Sequence, residues 1–413
     1  KPLAGTALSP SASWLNISST VCYRSTINSY LKEAKARNMK SMFYNLCYGA
    51  LNDAAKDGVK DEWSIFEDRK HTNKVTLYLS QPFKSNIYLL DPGNEEWLDY
   101  MTKQVADVYS AYDFDGYHID QVGIRDKFNY EGNPVDLPAG FQTFINRMKA
   151  SFPSKYNVFN AVGSFGQKKI AESNVDFQYY EVWNEAPGYA DLKTIIDNNA
   201  TYTDNKKNTV LAAYMNYSMA EHKGTFNTPG VLMTEAVIFA LGGSHIELGE
   251  HMLGKEYFPN SNLEMSPLLD KSVIAYYDFL VAYENLLRDG GQFNVVPVTC
   301  SNGKASIVQW PPQTGKVIAL SKLVGTRQVV HLLNFTNAVH LNWCDADGTQ
   351  AEPLLIKSMP VSLTVGQTVK KAWAATPDSE GSLYQELPFS QQAGTVTFQV
   401  PALKYWTMIV LEF

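Results

Sequence analysis

The chain has 413 residues, a formal net charge of -7 and 13% aromatic residues, including 24 Tyr and 8 Trp. That length excludes a single small domain and suits a large α/β domain followed by an accessory one. The acidic balance and the lack of any Lys/Arg block exclude a surface that tracks a phosphate backbone, so no nucleic acid is expected as a partner; a neutral ligand met by aromatic rings fits better, although most rings must be core.

The N-terminal Lys1-Pro2-Leu3-Ala4-Gly5 carries neither an initiator Met nor a signal sequence, so the chain reads as cut from a longer precursor. From about residue 26, amphipathic stretches alternate with short apolar runs, the pattern of repeated parallel β/α units. The first predicted helix is 26–38, where Ile27, Tyr30, Leu31 and Ala34 recur at helical spacing. Strands are predicted at 41–46, 87–91, 116–120, 157–161, 175–181, 209–215 and 244–248. Helices are predicted at 95–112, 139–152, 191–198, 230–241 and 270–288. This series opens on a helix and falls one strand short of a closed (β/α)8 barrel. The simplest account places the missing strand before Lys1; the alternative is an unrecognised strand within 9–22. After Gly290-Gly291 helical periodicity ends, and strands are predicted at 306–310, 328–335, 361–365, 395–400 and 406–413. The expected fold class is therefore α/β: a (β/α)8 barrel over 1–290, without its first strand, and a C-terminal antiparallel β-sandwich over 291–413.

No apolar run approaches the ~20 residues of a membrane span. Cys22, Cys47, Cys300 and Cys344 lie far apart without C-x-x-C spacing, so neither a zinc site nor any other cofactor is expected. Asp113 and Asp115 read as structural or solvated acids rather than metal ligands.

The chemistry concentrates on two acids. Asp120 ends the run Phe114-Asp115-Gly116-Tyr117-His118-Ile119-Asp120-Gln121, and Glu181 ends Val175-Asp176-Phe177-Gln178-Tyr179-Tyr180-Glu181. In a parallel barrel, reactive groups gather at the C-terminal ends of strands. Two carboxyl groups flanking a sugar are the minimal machinery for cleaving a glycosidic bond. Numbered with one strand before the chain, these are strands four and six, facing each other across the barrel mouth. Asp120, with His118 and Gln121 nearby as donors, is expected to stay ionised and attack. Glu181, flanked by Tyr180, Val182 and Trp183, is expected to hold the proton. Glu185, in the following loop, is the rival acid. For substrate contact the candidates are Tyr44, Tyr48, Asp91, His118, Gln121, Asn160, Trp183, Tyr214 and His245, all at or near strand ends. The bland alternatives are core packing for the rings and His118, and a helix-capping role for Asp91.

The run Phe114 to Gly123, the element Tyr180-Glu181-Val182-Trp183, Gly242-Gly243-Ser244-His245, Ala282-Tyr283-Glu284-Asn285-Leu286-Leu287-Arg288-Asp289 and Val400-Pro401-Ala402-Leu403-Lys404-Tyr405-Trp406 together resemble glycoside hydrolase family 66. That family comprises endo-dextranases and cycloisomaltooligosaccharide glucanotransferases. The resemblance implies an α-1,6-glucan partner (dextran, isomaltooligosaccharides) and a retaining double displacement, with Asp120 as nucleophile and Glu181 as acid/base. Family members also carry an N-terminal β-sandwich and a first barrel strand with a further site Asp, neither of which is found here. The cyclising members insert a carbohydrate-binding module late in the barrel, and between Met215 and His245 there is no room for one. Hydrolysis by an endo-dextranase is therefore expected; the alternatives are the glucanotransferase and a non-catalytic glucan-binding protein. A polymeric substrate implies an extracellular or cell-envelope location.

Overall fold

Along the strand Gly116–Asp120, Tyr117 and Ile119 are fully buried while His118 and Asp120 keep partial access to solvent. This follows from the period-two alternation of side chains, which gives every strand one packing face and one working face. The strand belongs to a computed structural model that describes residues 3–123, 127–245, 254–255, 262–379 and 384–413. By internal contacts the chain divides into one unit of Lys1–Glu181 with Asn199–Lys207, and a second of Val182–Asn198 with Asn208–Phe413.

In the first unit, Met42–Leu46, Gly116–Asp120 and Tyr156–Phe159 form a parallel sheet in that order. A parallel bridge from Asn160 to Tyr179 carries the series to the strand Gln178–Val182. The packing face is aromatic: Phe43 stacks on Tyr117 with centroids 4.5 Å apart, and Phe141 meets Phe159 at 5.1 Å. Helix Leu137–Ser151 supplies Phe141, Phe144, Ile145 and Met148 at helical spacing, which turns one stripe onto the sheet. Its start is fixed by Asp136, which accepts from the Ala139 amide at 3.1 Å, with Pro138 in the first turn. Asn94 caps helix Glu95–Ala111 in the same way, accepting from the Trp97 amide at 3.1 Å.

The predicted strand 87–91 does not join this series. Ile87–Leu89 pairs antiparallel with Gly49–Ala50 and Thr76–Leu77, and Met42–Leu46 pairs directly with Gly116–Asp120. A short apolar run reads alike as a buried parallel strand or as part of a small side sheet, so periodicity could not separate them. The segment 9–22 does contain strand, but as a hairpin, Ser13–Leu15 against Val21–Tyr23. Asp113 is paired with Lys35 at 2.5 Å, and Asp115 accepts from the Ser41 amide at 2.9 Å, so both acids serve local structure.

In the second unit, Thr209–Ala213 runs parallel to Ser244–His245. The rest of the predicted strand 244–248 lies outside the described residues. Helix Thr228–Ala240 is buried from Gly230 onward on every side, as its uniformly apolar sequence requires. The long helix predicted at 270–288 is interrupted: Pro267–Ala282 ends at Tyr283 and a short turn of helix, Glu284–Leu287, follows.

The C-terminal part is built from two sheets that are antiparallel apart from one pair. One runs Gln292–Asn294, Val317–Val324, Arg327–Asn334, Trp406–Glu412, Lys371–Ala375 and Gln385–Glu386, with Ile307–Gln309 added parallel to Val317–Val324. The other runs Val298–Cys300, Ile356–Thr364, Thr395–Leu403 and Phe389–Gln392. Val330, Leu332, Ile409 and Leu411 from the first share one core with Met359, Val361, Phe398 and Val400 from the second. Sequence reading missed Val317–Val324, whose first six residues are all buried and so show no alternation. Among the described residues no group of His, Cys, Asp or Glu could hold a metal ion, and no helix is long and apolar enough to cross a membrane.

Gly116 begins the strand that ends in Asp120. A Cβ placed there would stand 2.9 Å from the backbone carbonyl carbon of Tyr156 on the neighbouring strand, closer than real side chains come. Gly116→Ala is expected to cost about 1–3 kcal/mol by overpacking this strand pair. Urea unfolding followed by tryptophan fluorescence checks it, and an unchanged midpoint would refute the close approach.

Candidate active site

The working faces of four successive strand ends converge in the first unit. In the parallel register Tyr44 lies opposite His118 and Leu46 opposite Asp120. The Asn160 amide nitrogen donates to the Ile119 carbonyl at 3.0 Å, which sets Asn160 beside Asp120. On the next strand Tyr179 and Glu181 are partly accessible, while Tyr180 and Val182 point into the core.

Asp120 is surrounded by donors. The Tyr44 hydroxyl donates to Oδ2 at 2.5 Å, Asn160 Nδ2 donates to Oδ1 at 3.0 Å, and the Gln121 backbone N–H also donates to the carboxylate. The same Asn160 Nδ2 donates to Glu181 Oε2, again at 3.0 Å. Two oxygens that share one nitrogen at this distance lie within about 6 Å of each other, below the ~6.5–9.5 Å typical of carboxyl pairs that leave room for a water and beside the ~5–5.5 Å of pairs in which one acid attacks directly. The acids were expected on strands four and six of a barrel, and they sit two strands apart with the Asn160 strand between them.

Burial raises the Asp120 pKa, and the three donors oppose that rise, Tyr44 most strongly. Burial, reinforced by the Asp120 charge, lifts the Tyr44 hydroxyl far above its ordinary range, so Tyr44 remains a donor at all working pH values. Burial pushes His118 down to about 4, which makes it a neutral imidazole near pH 7. It packs edge-on against Tyr44 at 5.6 Å and Tyr179 at 4.9 Å, and its Nε2 has no hydrogen-bond partner among the described residues. The expected donation from His118 to Asp120 is therefore absent among the described contacts. Gln121 contributes through its backbone; its side chain is buried, donating to the Phe165 carbonyl at 3.2 Å and accepting from the Gly123 amide at 2.8 Å.

Other predicted contacts move elsewhere. Tyr48 is fully buried, its ring edge-on to Phe141 and its hydroxyl accepting from the Val122 amide at 3.1 Å, so it offers no face to a sugar. Asp91 accepts from the Gly93 amide at 2.8 Å and closes the turn at Pro92. Burial raises its pKa, and the capping role belongs to Asn94. In the second unit, His245 is buried: Nδ1 meets Glu235 Oε1 and Nε2 meets the Ala213 carbonyl, both at 2.7 Å, which makes it a structural tie rather than a sugar contact. Trp183 packs against Tyr214 at 5.1 Å and Tyr217 at 6.0 Å, a ring cluster in which Tyr214 is largely buried. Glu185 is exposed in its loop. Sequence reading passed over Tyr179 and Tyr217. Tyr179 was accessible to it, since a residue two positions before Glu181 shares its face.

A family model, Glycosyl hydrolase family 66, matches residues 1–410. A cycloisomaltooligosaccharide glucanotransferase of Niallia circulans is 25% identical over 97% of this chain and 56% of its own length. A dextranase of Streptococcus salivarius is 24% identical over 78% of this chain and 46% of its own. The chain thus spans about half the length of the curated relatives it matches. Among solved structures, a cycloisomaltooligosaccharide glucanotransferase from Paenibacillus sp. complexed with cycloisomaltoheptaose superposes with a TM-score of 0.89 at 22% identity, covering 99% of this chain and 78% of that one. An α-amylase from Geobacillus thermoleovorans complexed with acarbose gives 0.56 at 14% identity, covering 95% and 81%.

Tyr44→Phe removes a donor that holds the Asp120 pKa down, so the Asp120 titration midpoint is expected to rise by roughly one unit. NMR titration of the carboxyl carbon reads it, and an unmoved midpoint would contradict the short Tyr44 bond. His118 is expected to show no titration step between about pH 5 and 8 by the same method.

Proposed function

The chain belongs to glycosyl hydrolase family 66, and on that premise we propose that it is a retaining glycosidase cutting α-1,6 bonds inside dextran to give isomaltooligosaccharides. The observation that carries this reading is the Asp120 and Glu181 pair held on one amide nitrogen. The named activities of the relatives, glucanotransferase and dextranase, and the cycloisomaltoheptaose bound to one of them support the substrate class.

In the first step Glu181 gives its proton to the glycosidic oxygen while an Asp120 oxygen attacks the anomeric carbon from the opposite side. The C–O bond pair leaves with the departing sugar and a glucosyl ester forms on Asp120. In the second step Glu181, now a carboxylate, takes a proton from water, whose oxygen displaces Asp120 and restores the starting configuration. Tyr44, Asn160 and the Gln121 N–H stabilise the Asp120 carboxylate on leaving. His118 and Tyr179 stand beside the acids, their rings edge-on to one another at 4.9 Å. The working form we propose is a (β/α)8 barrel over 1–290 with a β-sandwich over 291–413, acting outside the cytoplasm where such polymers are met. The parallel strand order within each unit supports the barrel.

Water rather than a sugar hydroxyl is favoured in the second step. The alignment with the Niallia enzyme runs over 549 positions, more than this chain's 413 residues, so that relative carries additional residues with no counterpart here. Between Met215 and His245 the chain is filled by Met219–Glu221, Gly224–Thr225 and helix Thr228–Ala240. The second reading is the glucanotransferase, favoured by glucanotransferase relatives that match 97% and 100% of this chain against 78% for the dextranase.

Incubation with dextran is expected to release linear isomaltooligosaccharides of α configuration in the first product. Cyclic products, lighter by one water, would establish the transferase, and affinity for dextran without new reducing ends would leave only a binding protein. Asp120→Asn is expected to lower kcat roughly 10³-fold or more. Glu181→Ala should be rescued by azide with formation of the α-glucosyl azide, and a β-azide would reverse the assigned roles.

A further inference from the structure

Asn160 follows the strand Tyr156–Phe159 and is nearly fully buried between the two acid-bearing strands. Its Nδ2 donates to Asp120 Oδ1 and to Glu181 Oε2, each at 3.0 Å, so both amide hydrogens are used. Its Oδ1 is buried and has no partner among the described residues. Buried amide oxygens are rarely left unpaired, so a side chain whose acceptor end is idle while its donor end is doubly engaged is retained for its donors. Two carboxylates this close repel one another, and a donor common to both offsets that repulsion whichever of them is charged.

Building on the retaining reading above, we propose that Asn160 is a positioning residue: its two amide hydrogens tie Asp120 and Glu181 into one unit with a set gap and support negative charge on each acid in turn. In its acid form Glu181 carries the transferable proton. That proton goes to the glycosidic oxygen in the first step and is replaced from water in the second. Asn160 neither gives nor takes a proton, and the ester bond forms and breaks at Asp120 alone. Around the pair stand Tyr44 and Cys47 from the neighbouring strand and its end, Tyr117 and His118 from the Asp120 strand, and Tyr179 from the Glu181 strand. Burial pushes the hydroxyls of Tyr44, Tyr117 and Tyr179 and the Cys47 thiol up, and His118 down to about 4. All five are uncharged near neutrality, so among these described groups only the two acids carry charge there.

Removing the shared donor disfavours both carboxylates. The acidic limb of kcat/KM, where Asp120 must be ionised, and the basic limb, where Glu181 must be protonated, should then both move to higher pH. For Asn160→Ala we expect each limb to rise by about one unit, with kcat lowered roughly 10- to 100-fold and KM within about threefold. Asn160→Gln, which keeps the donor, should recover part of the displacement. A bell of lower height at an unchanged position, in a variant with unchanged thermal unfolding, overturns the proposal. If Asn160→Ala does not fold, Asn160→Ser, with one donor at shorter reach, is expected to shift the bell by a smaller amount in the same direction; no shift overturns the proposal. Should the wild-type protein not turn over dextran, the glycosidase reading fails by itself. NMR titration of the Asp120 and Glu181 carboxyl carbons in wild type and variant still decides the role of Asn160: both midpoints higher supports it, both unmoved refutes it.

Discussion

An anion can be held in a half-buried position only if enough donors replace the water it has lost. The site is arranged around that constraint. Asp120 lies at the tip of a strand whose other face is hydrophobic core, so burial opposes its charge, and three donors from three different places in the chain oppose burial. One is local, the Gln121 N–H. The others, Tyr44 and Asn160, come from the flanking strands and depend on a parallel register that sets Leu46 and Asn160 beside Asp120. A one-residue slip of either neighbour would turn its working residue into the core. Register, and therefore the packing of Phe43, Tyr117 and Phe159 behind the sheet, fixes the chemistry in front of it.

The same logic explains what could be read from residues alone. The placement of Asp120 and Glu181 at strand ends was legible because each closes a short run of strand-forming residues. The order of helices and strands was legible wherever the apolar period was long enough to be unambiguous, as in Leu137–Ser151. The run at 87–91 was not, since four apolar residues look alike in a main sheet and in a side sheet. Tyr48 and His245 were taken for ligand contacts because they sit near strand ends, yet both are buried and bonded within the protein. Sequence position gives the end of a strand but not the side to which a ring turns.

The bridge at Asn160 is the clearest case of information held only in three dimensions. Asn160 lies 40 residues from Asp120 and 21 from Glu181, and no spacing rule links such positions. What joins them is that successive parallel strands with crossover helices return to neighbouring slots, so a residue ending the middle strand meets both of its neighbours. An amide there can serve two acids, whereas a hydroxyl has one hydrogen to give.

Met42–Leu46, the strand carrying Tyr44, has Gly116–Asp120 on one side and, among the described residues, no strand on the other. The helix that leads into it, Arg24–Ala36, has no fully buried residue. Phe43 anchors the strand's packing face on Tyr109, Phe114 and Tyr117, so its hold on the sheet rests on that face and on the one neighbouring strand. Fraying there would withdraw the Tyr44 hydroxyl and leave Asp120 short of a donor while the remaining fold stays intact. For the proposed glycosidase, loss of activity would then precede denaturation, and amide deuterium uptake along this edge would register its first stage.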